Sequence, residues 1–159
     1  TVSDRREPSR TPMKGRRQAR IIALQVLYEI DCVSHPPAEV MYRRISDNDV
    51  PAPYERFARH LVEGVLEHRE VLDEFIHEHA PEWPLEQMAY IDRNILRMAI
   101  FEFAVDGSIP VKVAINEAVE LAKRFGSDSA PRFVNGVLGS LVKQREAIAE
   151  AAQNFERKS

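Results

Sequence analysis

The chain has 159 residues, of which 44% are hydrophobic and 30% are charged, a composition typical of one globular domain with a real core. Cys32 is the only cysteine, which excludes an internal disulfide and fits a reducing compartment. No apolar run approaches the roughly 18–20 residues that cross a bilayer, and the N-terminus lacks the apolar segment of a signal peptide. We therefore expect a cytoplasmic protein without a membrane anchor.

Charge is distributed unevenly along the chain. The formal net charge is −3, but seven basic and two acidic residues among the first 20 give that segment a net charge of +5. The remaining residues carry a net charge of −8. The basic arm attracts polyanions, whereas the acidic remainder of the chain repels them. A nucleic acid is therefore the first class of partner to consider.

The first half of the chain predicts a tail followed by short helices. Residues 1–13 are polar, contain two prolines and show no apolar periodicity, so we expect a disordered basic extension before a single domain at residues 14–159. The first helix carries apolar stripes on two sides, which indicates a central helix or one reserved for a partner. Apolar residues at helical spacing predict helices over residues 14–32, 38–45, 54–68 and 71–79.

The second half predicts longer helices, and the fold class is all-α because strand-like alternation is nearly absent. Apolar residues cover much of the helix at residues 85–106, which predicts the buried axis of the fold. Gly126 is predicted to end the next helix in the left-handed conformation that favours glycine. Ser129 is predicted to cap the following helix, with Pro131 in its first turn. The helices predicted here cover residues 85–106, 110–125, 130–142 and 144–155.

Basic residues at the start of the first helix are candidates for phosphate contacts. Cations at this end oppose the helix macrodipole, at about 0.3–1 kcal/mol each when exposed. A sequence that nevertheless places four there indicates an external anion, although a solubilising tail without a partner is an alternative. The four candidates are Lys14, Arg16, Arg17 and Arg20.

A second candidate lies at the start of the helix after Gly126. There, Arg132 can contact a phosphate while Phe133 stacks on a base, a combination that suits single-stranded RNA. The alternative is that Phe133 belongs to the core, since it immediately precedes the apolar Val134. Gly136 leaves part of this helix smooth enough for an RNA backbone or a neighbouring helix.

Neither catalysis nor metal binding is predicted. The sequence has no G-x-S-x-G motif, no glycine-rich phosphate loop, and no cysteine in an electropositive setting with a fixed histidine. Asp73 with His77, and Cys32 with His35, are half-sites without a second pair at ligand spacing. We therefore expect a protein that is not an enzyme and that binds no cofactor and no metal.

Three segments resemble the NusB family of transcription antitermination factors: RRQARIIALQVLYEID at residues 16–31, IDRNILRMAIFEF at residues 91–103, and VKVAINEAVELAKRFG with FVNGVL at residues 111–138. The resemblance implies a NusB-like helical fold of about seven helices in two small bundles around a long central helix. It also implies an RNA-binding antitermination factor that pairs with the ribosomal protein NusE. The pair binds the boxA element of ribosomal RNA transcripts and delivers it to the antitermination complex on RNA polymerase.

The resemblance also implies roles for individual residues. Arg97 matches a position that borders the RNA-binding groove of the family. Tyr28 and Asp92 match positions that face the partner NusE. One departure is the turn GSDSAPRF, where Pro131 stands although family members often have no proline. The residues that match RNA-binding positions of the family are Lys14, Arg16, Arg17, Arg20, Arg132 and Phe133.

Two other functions stay open at this point. A similar helical module precedes the catalytic domain of a ribosomal RNA cytosine methyltransferase, but that enzyme needs a methyl-donor fold and reactive cysteines, and this sequence has one cysteine. A protein-interaction scaffold with an incidental basic arm is the other. Whether the free protein forms a homodimer through the surfaces meant for NusE and RNA is also open.

Overall fold

The structure is a computed structural model that describes the backbone of residues 11–80 and 88–158, with side chains from residue 15 onward. Every regular element in these ranges is helical, as the all-α prediction requires. The chain divides into two compact units, an N-terminal unit up to His60 and a C-terminal unit from Leu61.

The N-terminal unit contains α1 (Thr11–Cys32), α2 (Pro37–Asn48) and the first part of α3 (Ala52–Glu67). Helix α1 begins three residues before the predicted boundary, so the last part of the predicted disordered extension is helical. Residues 1–10 of that extension lie outside the described residues. Helix α1 packs on α2, and the buried hydrophobic residues described in these two helices are Ala19, Ile22, Ala23, Leu24, Val26, Leu27, Val40, Met41 and Ile45.

A carboxylate near the end of α1 ties this helix to α2. Glu29 pairs with Arg43, lies 3.1 Å from Nη2 of Arg44, and accepts a hydrogen bond of 2.9 Å from Nδ1 of His35. The bond from Arg43, followed by that from His35, lowers the pKa of Glu29 from 4.5 to about 2. The ionised form of Glu29 therefore stabilises the fold.

The contribution of Glu29 is expected to depend on pH. Because the folded state lowers its pKa, the stabilisation is complete above a pH of about 4.5 and is lost as the pH falls towards about 2. We expect Glu29→Gln to lower the melting temperature, relative to wild type, most at pH 6–7 and least near pH 2. Circular dichroism melts across this range measure the difference, with Glu63→Gln as the matched exposed control. A pH-independent difference would contradict the assignment.

The C-terminal unit is built around one buried helix. Helix α5 (Tyr90–Ile100) is followed by a π-helical turn (Phe101–Asp106), and every residue from Asn94 to Ala104 is buried. Helix α5 packs against α4, α6 and α7, while the π-helical turn packs against α8. The other elements are α4 (Arg69–His79), α6 (Val111–Phe125), α7 (Ala130–Leu141), a 3₁₀ turn (Val142–Gln144) and α8 (Arg145–Lys158).

The start of the axial helix differs from the prediction. Met88 and Ala89 are not helical, and Ala89 has extended backbone with ψ 139°, so α5 begins at Tyr90 rather than at residue 85. Residues 85–87 lie outside the described residues. The predicted end at residue 106 is confirmed, but the last turn is π-helical.

The predicted conformation of Gly126 is wrong, although α6 ends at Phe125, directly before Gly126, as predicted. Its backbone is extended, with φ −93° and ψ −178°, so no left-handed conformation requires a glycine there. The physical reason is close approach, because a Cβ would lie 2.6 Å from Cβ of Ala130 and 2.9 Å from the carbonyl oxygen of Ala122. The left-handed glycine is Gly107, with φ 74°, whose N–H donates to the carbonyl of Glu102 and closes the π-helical turn.

Two helical glycines are expected to respond oppositely to substitution by alanine. A Cβ on Gly64 would lie 2.1 Å from the ring of Phe101, so overpacking should destabilise Gly64→Ala by about 1–3 kcal/mol. Gly136 has no atom within 4 Å of an added Cβ, so Gly136→Ala should stabilise the helix by up to about 1 kcal/mol. Urea unfolding measures both. Equal stabilities for the two variants would contradict this packing.

Candidate nucleic-acid interface

The turn before α7 positions the second candidate pair. The N–H of Ala130 donates to the carbonyl of Ser127 at 3.0 Å, and the N–H of Phe133 donates to the carbonyl of Ser129 at 3.1 Å. Ser129 is the N-cap residue as predicted, but its side chain makes no capping hydrogen bond, and Pro131 lies in the first turn. The backbone of this turn therefore holds the start of α7.

Arg132 and Phe133 line one cavity at this end of the C-terminal unit. Arg132 is exposed and Phe133 is half-buried, whereas the adjacent Val134 is fully buried. The cavity volume is about 460 Å³, within the range of small-molecule sites. Its lining residues are Met88, Ala89, Asp92, Ser127, Ser129, Ala130, Arg132 and Phe133. Phe133 is thus a half-buried residue at the cavity and is not fully buried in the core.

Asp92 contributes a carboxylate to the same cavity from α5. Its Oδ1 atom is buried without a hydrogen-bond partner, and burial raises the pKa of Asp92. From the sequence, Asp92 was predicted to contact a protein partner and Arg132 to contact RNA. In the structure both residues line one cavity. Met88 and Ser127 also line it, and neither was predicted from the sequence to belong to the site.

Arg97 occupies a structural position. Its side chain is 4% exposed, and its Nε and Nη2 atoms donate to the two carboxylate oxygens of Asp73 at 2.7 and 2.9 Å. Its Nη1 atom donates to Asn94 at 3.1 Å. A buried guanidinium engaged in this way is poorly placed for phosphate, so the structure argues against the predicted contact of Arg97 with RNA.

The basic arm of the N-terminal unit is only partly available. Arg16 and Arg17 are exposed, whereas Arg20 is 4% exposed and its guanidinium lies 5.1 Å from the ring centre of Phe57. This burial argues against a direct phosphate contact by Arg20. The side chain of Lys14 lies outside the described residues.

Tyr28, the predicted protein contact on α1, is 40% exposed. An aromatic side chain with a polar tip at the surface suits a protein interface.

Among the described residues, no helix combines the length and the apolarity of a membrane span.

Comparison with known proteins decides the family. The model of the NusB family matches residues 17–143. The chain belongs to the NusB family. It is 50% identical over 131 residues to the transcription antitermination protein NusB of Roseiflexus castenholzii, which covers 81% of this chain and 92% of that protein. It is 48% identical over 142 residues to the protein of the same name from Dehalococcoides mccartyi, with coverages of 89% and 97%.

Solved structures of NusB proteins have the same fold. The structure of T. maritima NusB is similar with a TM-score of 0.76 and 28% identity, covering 82% of this chain and 92% of that one. The complex of the antitermination factors NusB and NusE with double-stranded RNA gives a TM-score of 0.74 at 28% identity, with coverages of 87% and 98%. The NusB-like helical fold predicted from the sequence is confirmed.

Proposed function

We propose that this protein is an RNA-binding transcription antitermination factor. It pairs with NusE, binds boxA-type RNA of ribosomal RNA transcripts, and carries this RNA to the antitermination complex on RNA polymerase. The names of its relatives and the similar complex of NusB with NusE and RNA support the proposal. This function places the protein in the cytoplasm, where transcripts are made, and requires no catalysis by this chain.

The observation that carries the proposal is the cavity beside Arg132 and Phe133. An aromatic ring at a surface cavity offers a base a stacking platform, which contributes about 1–3 kcal/mol per base. The exposed guanidinium of Arg132 is one residue away and suits the phosphate of the same nucleotide. Arg16 and Arg17 of the N-terminal unit supply further exposed positive charge.

The proposal is tested by titrating fluorescently labelled boxA RNA with the protein alone and with an equimolar mixture of the protein and NusE. Anisotropy should show weak binding alone and much tighter binding by the pair. If Arg16, Arg17 and Arg132 each neutralise one phosphate, a fourfold rise in salt should weaken binding about 20-fold. If the mixture with NusE gives no anisotropy change at low salt, the proposal is contradicted. The protein-interaction scaffold is then the remaining function.

A matched pair of double variants tests the role of the arm. Arg16→Ala/Arg17→Ala should reduce the slope of log affinity against log salt by about 1.4, since two phosphate contacts are lost. Lys143→Ala/Arg145→Ala removes the same charge from two exposed residues of the C-terminal unit and should change the slope little. Equal effects of the two double variants would mean that the arm acts only through net charge.

Light scattering on the free protein reports whether it forms a homodimer.

Asp92 is expected to weaken RNA binding at neutral pH. Its carboxylate shares the cavity with Arg132, and removing one screened charge at a surface is worth about 0.2–1 kcal/mol, so Asp92→Asn should raise RNA affinity by up to about fivefold. Because burial raises the pKa of Asp92, the advantage should shrink as the pH falls and the wild-type carboxylate takes up a proton. Glu150→Gln is the matched control for net charge. Weaker binding by Asp92→Asn would instead indicate that the carboxylate accepts a hydrogen bond from the RNA.

A further inference from the structure

A buried histidine and two carboxylates meet at the junction of α3, α4 and α8, and none of the three is assigned to RNA. His68 lies between the last residue of α3 and the first residue of α4, and its side chain is 5% exposed. Glu67 ends α3, and Glu156 lies near the end of α8. The ligand atoms of these three side chains all lie within 4.8 Å of one another.

The hydrogen bonds of His68 fix which ring nitrogen carries the proton. Nδ1 lies 3.0 Å from the carbonyl oxygen of Gly64, and since a carbonyl can only accept, Nδ1 is the donor. In the neutral imidazole the lone pair then belongs to Nε2, which lies 2.7 Å from Oε2 of Glu156. An ionised carboxylate also only accepts, so this contact needs either a proton between the two atoms or a metal ion that both atoms bind.

A divalent cation would balance more of the negative charge at this junction than a proton does. A proton on Nε2 neutralises one of the two carboxylates, whereas a divalent ion neutralises both Glu67 and Glu156. A histidine whose Nδ1–H is held by a backbone carbonyl has the orientation that metal-binding histidines typically show. The rings of Phe101 and Phe155, each centred 6.2 Å from the imidazole, provide apolar neighbours.

We propose that Glu67, His68 and Glu156 bind one divalent transition-metal ion of the Zn²⁺ type. One imidazole nitrogen and two carboxylate oxygens are ligands that Zn²⁺ accepts at about 2.0–2.2 Å, with water completing the coordination. The nitrogen ligand disfavours Mg²⁺ and Ca²⁺, which prefer oxygen. The bound ion joins the C-terminal turns of α8 to the α3–α4 junction. Sequence patterns could not reveal it, because 88 residues separate His68 from Glu156.

The test uses the full chain, freed of metal with a chelator and carrying Cys32→Ser to remove the one thiol. Calorimetric titration with Zn²⁺ should give one ion per chain, and titration with Mg²⁺ should give no binding. Saturating Zn²⁺ should raise the melting temperature by about 5 °C through preferential binding to the folded state. Absence of both the binding heat and the melting shift would overturn the proposal and leave a direct hydrogen bond between His68 and Glu156.

Two variants locate the ion. Glu156→Gln changes a side chain that is 51% exposed, so it should fold normally, yet it should weaken Zn²⁺ binding at least tenfold. Glu150→Gln on the same helix removes the same charge and should bind Zn²⁺ like the parent. His68→Gln should abolish the binding. Unchanged affinity and stoichiometry in Glu156→Gln would place the ion elsewhere and overturn the assignment.

Discussion

Replacing Asp73 with alanine is expected to destabilise the C-terminal unit by about 3–5 kcal/mol, because it leaves the buried guanidinium of Arg97 without its carboxylate partner. Both oxygens of Asp73 accept hydrogen bonds from Arg97, so the variant loses a charge and two bonds together. Urea unfolding monitored by circular dichroism measures the loss.

The matched control for this prediction is Glu74→Ala. Glu74 is exposed on the same helix, and a surface substitution of this kind usually changes stability by less than about 0.5 kcal/mol. Adding Arg97→Met to Asp73→Ala should recover part of the loss, since an apolar side chain then replaces the unpaired charge. A loss in Asp73→Ala no larger than that of the control would show that water solvates the pair.

Replacing Phe133 with alanine is expected to weaken RNA binding by the pair with NusE about 5- to 150-fold. The reason is the loss of one base-stacking contact, worth about 1–3 kcal/mol. Stability should change little, because the ring is half-buried at a cavity. Anisotropy with labelled boxA RNA measures the affinity, and thermal melts measure the stability.

Two variants separate stacking from packing at this position. Phe133→Trp keeps an aromatic platform and should retain most of the affinity. Leu138→Ala removes a fully buried side chain of the same helix, so it should lower stability by about 2–5 kcal/mol and affect RNA affinity much less at temperatures where it is folded. If Phe133→Ala instead destabilises as much as Leu138→Ala, the ring belongs to the core and the proposed stacking site is wrong.

The helices could be predicted from the sequence because a buried helix face repeats every 3–4 residues. The apolar face of α1 follows this spacing closely, whereas α5 was predicted to be buried because apolar residues cover much of its circumference. Boundaries were less predictable, since the start of α5 depends on the extended backbone of Ala89, which apolar spacing does not encode. Gly126 shows the same limit: the sequence marks a glycine but not whether φ or close approach requires it.

The candidate site was only partly predictable, for a different reason. Arg132 and Phe133 are neighbours in sequence at a helix start, so local pattern sufficed to single them out. Asp92 lines their cavity from another helix, and Arg97 pairs with Asp73, which is 24 residues away in sequence. Burial of Arg20 likewise depends on the ring of Phe57 in another helix. Such contacts arise from tertiary packing, which helical periodicity does not specify.

The central claim is that RNA occupies the cavity lined by Arg132 and Phe133. Ultraviolet crosslinking of boxA RNA to the pair with NusE, followed by mass spectrometry of the crosslinked peptides, tests it most directly. We predict crosslinks within residues 127–133, and their loss in Phe133→Ala under conditions that keep the RNA bound. Efficient crosslinking with no product in this segment would contradict the claim.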